Sequence, residues 1–60
     1  MSDLDSTTLT LTLLTLQDKR NRLLHRSDLA FAAGNIQESD ALFNMAVGVS
    51  VAITELGVLQ

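Results

Sequence analysis

The stretch Ala32-Ala33-Gly34-Asn35-Ile36-Gln37-Glu38 divides this chain. Glycine reaches the left-handed backbone conformation that closes a helix, so Gly34 marks a helix end. Asn35 is a favoured N-cap for a following helix, and Glu38, three residues on, completes a capping-box pattern. Asp40 adds negative charge to the first turn, where the helix dipole favours it. No proline interrupts the chain on either side. The spacing therefore predicts one helix over residues 7–33, a turn at Gly34-Asn35, and a second helix over residues 36–58. A connection this short makes the two helices antiparallel neighbours. The expected architecture is all-α: one antiparallel two-helix hairpin over residues 1–60.

Helical phase gives the expected seam. At about 100° per residue, Leu9, Leu13, Leu16, Leu23, Leu24, Ala30 and Phe31 share one face of the first helix, interrupted by Arg20 and Ser27. Leu42, Met45, Ala46, Val49, Ala52, Ile53 and Leu56 form the matching stripe on the second. Two stripes of this kind bury each other. Arg20 either snorkels out of its stripe or fixes a partner's register. A competing pattern exists: residues 8–13 (TLTLTL) and 47–53 (VGVSVAI) alternate with period two, and Thr and Val favour strands. Helix is preferred, because the stripe through Leu9, Leu13 and Leu16 runs in phase into Leu23 and Leu24. The alternation breaks at Leu13-Leu14.

The hairpin leaves apolar side chains over. Phe43, Val47, Val51 and Val58 lie on the far side of the second helix, and Leu11, Leu14 and Leu29 point away from the stripe of the first. A helix apolar all round is buried all round, and one neighbour cannot cover both sides. A chain of 60 residues is a marginal domain alone, and small domains usually need a staple. With no Cys, disulfides and thiolate metal sites are excluded. Association remains, so the hairpin is expected to join a larger helical bundle. The expected partner-binding residues are Phe43, Val47, Val51, Val58, Leu11 and Leu14, meeting a protein partner or a second copy. Gly48, Ser50 and Ala52 are small enough to permit close helix approach.

Net charge is −3, which disfavours nucleic acid and anionic membranes. Every Lys and Arg falls between residues 19 and 26, and Lys19, Arg22 and Arg26 share one flank. That flank is an anion-patch candidate. The preferred reading is a solvated rim paired with acids such as Glu38 and Asp40. The segment Met45-Ala-Val-Gly-Val-Ser-Val-Ala-Ile53 is the longest apolar run, short of the roughly 18 residues of a membrane span, so no membrane partner is expected. The acidic start, Met1-Ser-Asp-Leu-Asp-Ser6, lacks the basic region of a signal peptide, and the cytoplasm is the expected compartment. Asp18, Asn21, His25 and Asp28 share a face, but one imidazole and two carboxylates on a solvated helix make a poor metal site. Ser27 beside His25 and Asp28 has no oxyanion hole, and no phosphate-cradling glycine loop exists. No catalytic residues, metal, cofactor or small-molecule substrate is expected.

Three families resemble parts of this pattern. Residues 34–46 (GNIQESDALFNMA) look like the centre of a tetratricopeptide repeat, with glycine at the turn, small Ser39, aromatic Phe43 and Ala46 in place. Arg26 and Ser27 depart from that repeat, and a solenoid needs about three copies. Residues 17–59 resemble in plan the small helical-hairpin co-chaperones of type III secretion needle subunits. These have a charged first helix, a Gly-containing turn and a second helix ending in small and branched apolar residues, here residues 49–59 (VSVAITELGVL, from Val49). That resemblance implies a cytosolic, non-enzymatic chain whose second helix docks on a larger helical-repeat chaperone. Strand–helix–Gly–helix is also the order of ribbon-helix-helix repressors, with residues 8–13 as the ribbon. Here such a ribbon would present only Thr to DNA, and Glu38 and Asp40 would repel phosphate. The expected function is a non-enzymatic protein-binding adaptor or co-chaperone. The alternative is a small nucleic-acid-binding homodimeric regulator, either a four-helix bundle or a ribbon-helix-helix protein.

Overall fold

A computed structural model describes residues 6–58. Two helices make up the fold, α1 (Ser6–Ala32) and α2 (Ile36–Val58), packed side by side along their length. No strand occurs among the described residues, so the ribbon-helix-helix arrangement with a strand at residues 8–13 does not form. Leu59 and Met1–Asp5 lie outside the described residues.

Both segments that alternate with period two are helical, and their hydroxyls show how a helix accommodates them. Thr12 Oγ1 donates to Thr8 O and Thr15 Oγ1 to Leu11 O, each at 2.9 Å. In α2, Ser50 Oγ donates to Ala46 O at 2.9 Å and Thr54 Oγ1 to Ser50 O at 3.1 Å. Each hydroxyl folds back on the carbonyl four residues earlier, so it needs no strand neighbour.

The reversal is a Schellman closure. Asn35 N–H donates to Ala30 O at 2.9 Å and Gly34 N–H to Phe31 O at 3.0 Å, with Gly34 at φ +82°. These are the six-to-one and five-to-two bonds that satisfy the last carbonyls of a helix. They also correct the expected capping box. That motif needs Glu38 to accept the Asn35 N–H, and Ala30 O already holds it. What Asn35 contributes to α2 is its carbonyl, which accepts the Ser39 N–H at 2.9 Å.

The seam is narrow and mixes leucines with small residues. Leu9, Leu23 and Ala30 of α1 are buried, as are Leu42 and Ala46 of α2. Leu24 and Val49 pack at the edge of the Leu23–Ala30–Leu42–Ala46 cluster. Leu13, Leu16, Ala52, Ile53 and Leu56 are half-buried. Ser27, expected to interrupt the stripe, instead lies at its centre opposite Ser39, and both are buried. Ser27 Oγ donates to Ser39 O at 2.9 Å, and the two hydroxyls lie 3.1 Å apart. No buried side-chain nitrogen or oxygen among the described residues lacks a partner.

Two expected seam residues are outside it. Phe31 is 65% exposed: the chain reverses directly after it, so α2 has nothing to lay across the ring. Met45 is 52% exposed. It sits about 70° round α2 from the mean direction of Leu42, Ala46, Val49 and Ile53, at the margin of the face that meets α1.

Candidate protein-docking surface

The outer face of α2 follows from the seam. With Ser39, Leu42, Ala46 and Val49 turned to α1, the 3.6-residue period sends Phe43, Val47, Val51 and Val58 outward. They are 52%, 46%, 52% and 81% exposed, respectively. Successive side chains at i and i+4 stand one above the other, so Phe43, Val47 and Val51 form one ridge across about 12 Å of helix. Val58 continues it two turns further on. Beside the ridge runs a shallow depression lined by Val47, Ser50, Val51, Thr54 and Glu55. Ile36 is also exposed at the N-terminal end.

Leu11, Leu14 and Leu29 of α1 are exposed as well. Helical phase turns Leu11 and Leu29 to the back of α1, away from α2. Between them the same back carries Asp18, Arg22 and His25, all exposed. The apolar spots on α1 are thus separated by a charged centre, whereas the ridge of α2 is apolar through its middle.

The small residues are divided between the two sides. Ser50 and Ala52 are half-buried at the edges of the seam, and Gly48 is exposed. A Cβ at Gly48 would meet nothing within 4 Å, so packing inside the hairpin does not require glycine there.

Charge is segregated between the helices. All bases lie on α1 between Lys19 and Arg26, and α2 carries only Glu38, Asp40 and Glu55. Arg22 pairs with Asp18 at 3.0 Å, one turn away on the same helix, with both side chains about two-thirds exposed. The expected cross-hairpin pairing to Glu38 or Asp40 does not form among the described residues. Asp40 lies on the outer face of α2 with the ridge, out of reach of α1. Exposed pairs one turn apart contribute about 0.3–0.5 kcal/mol. Arg20 reaches out of the seam: its Nε and Nη2 donate to Asn21 Oδ1 at the surface, at 3.4 and 3.3 Å. Lys19 and Arg26 are exposed on the flank they share with Arg22. No three His, Asp or Glu side chains come together as a metal-binding group among the described residues.

Seen as a helix rather than an unbroken apolar run, α2 changes the membrane argument. It has 23 residues, and its most apolar 18-residue window has a mean hydropathy of 1.6. By length and composition it is sufficient to cross a membrane. Ser, Thr, Asn and Gly interrupt the run in sequence without breaking the helix. With the hairpin closed, however, the charged stretch Asp18–Asp28 of α1 lies beside the N-terminal half of α2, level with residues 38–48. A spanning α2 would draw those charges toward hydrocarbon, at about 2.5–3.5 kcal/mol for each Asp, Lys or Arg near the centre.

No protein-family model, curated protein or solved structure matches this chain.

Proposed function

We propose that this chain is a non-enzymatic protein-binding adaptor, of the co-chaperone kind, that docks the Phe43–Val47–Val51 ridge of α2 into an apolar groove on a partner. One observation carries the reading. The hairpin closes its seam with Leu9, Leu23, Ala30, Leu42, Ala46 and the Ser27–Ser39 pair, and still leaves Phe43, Val47 and Val51 about half exposed. With α1 already against the opposite side of α2, these side chains can gain the roughly 1.5–3 kcal/mol of burying a Val or Phe only from a second surface. The plan of the chain, a charged α1 followed by an apolar α2, supports a place among small secretion co-chaperones whose second helix binds a helical-repeat chaperone. Cytoplasmic action is part of the proposal.

The test is co-purification from the native host with tagged wild-type chain and with Val51→Asp. Placing a carboxylate on the ridge desolvates a charge on docking. The expected result is a stoichiometric protein partner that is lost from Val51→Asp while far-UV circular dichroism stays helical. A partner that binds both forms equally rejects the ridge, and a wild-type chain with no stoichiometric partner rejects the adaptor.

A further inference from the structure

We draw no further inference here: the strongest candidate, the exposed apolar ridge of Phe43, Val47 and Val51 on the outer face of α2, carries nothing beyond the proposed function because nothing in the structure shows what covers it.

Discussion

The buried serine pair makes a prediction whose sign depends on which hydroxyl is removed. Ser27 Oγ donates to the Ser39 carbonyl at 2.9 Å and lies 3.1 Å from Ser39 Oγ. Ser27→Ala deletes both contacts and leaves Ser39 Oγ buried without its cross-helix partner, at about 1–3 kcal/mol. Alanine returns about 0.5 kcal/mol in helix propensity, so the expected net loss is about 1–2 kcal/mol. Ser39→Ala is different, because Ser27 Oγ keeps its bond to the Ser39 carbonyl. Only the hydroxyl–hydroxyl contact goes, and the propensity gain offsets most of it, for a net change within about 0.5 kcal/mol of zero. The double variant leaves no orphan, so Ser39→Ala should be stabilising in the Ser27→Ala background. Urea unfolding followed by circular dichroism at one fixed protein concentration measures all four forms; the fixed concentration keeps the mass-action contribution of any association on the same footing. Equal losses for the two single variants, or simple additivity in the double, would refute the assignment of Ser27 as the donor that holds the pair together.

Four further substitutions test the fold around the ridge. Gly34→Ala forces a Cβ into the φ +82° closure and should lower stability by about 1–2 kcal/mol, read from the same urea midpoint. Gly48→Ala has open space for its Cβ and should raise the stability of the hairpin by about 0.5–1 kcal/mol. A loss there would mean that glycine is needed for something outside the single chain. Leu23→Ala removes a large side chain from the centre of the seam and should cost about 2–3 kcal/mol, the low end for core leucines because the site lies near solvent. Leu29→Ala, on the exposed back of α1, should change the midpoint by less than about 0.5 kcal/mol.

Much of this fold was legible because its punctuation is local. Gly34 and Asn35 close one helix and open the next within two residues, and the helix ends at Ala32 and Ile36 fall within one residue of the expected positions. The helical phase also separated seam from ridge correctly for Leu9, Leu23, Leu42 and Ala46 on one side and Phe43, Val47 and Val51 on the other. What phase alone misjudges is where a neighbour runs out. Phe31 is close to the seam in angle and beyond it in length, which depends on the geometry of the reversal. Polarity misleads at Ser27: a hydroxyl reads as a break in an apolar stripe unless a second hydroxyl is known to face it. The spacing between Ser27 and Ser39 across the turn carried that signal. The capping box failed for a related reason, since the Asn35 N–H goes to Ala30 O in the closure of α1.

The serine pair also connects the seam to the outer surface. Two smooth apolar stripes can slide past one another by a turn, or roll, at little cost, because hydrophobic contact is not directional. Rolling α2 toward Phe43 and Val47 would exchange Val49 and Leu56 for them in the seam. The rolled state would, however, lift Ser39 out of register with Ser27 and leave the buried Ser27 hydroxyl facing aliphatic carbon. That costs about 1–3 kcal/mol, comparable with the roughly 1.5–3 kcal/mol gained by burying one further Val or Phe side chain. The serine pair therefore fixes a unique rotation of α2, as a buried polar residue does in setting coiled-coil register. A unique rotation has no value to a helix whose outer face meets only water. It matters when Phe43, Val47 and Val51 must arrive together, on one line, at a surface that fits them.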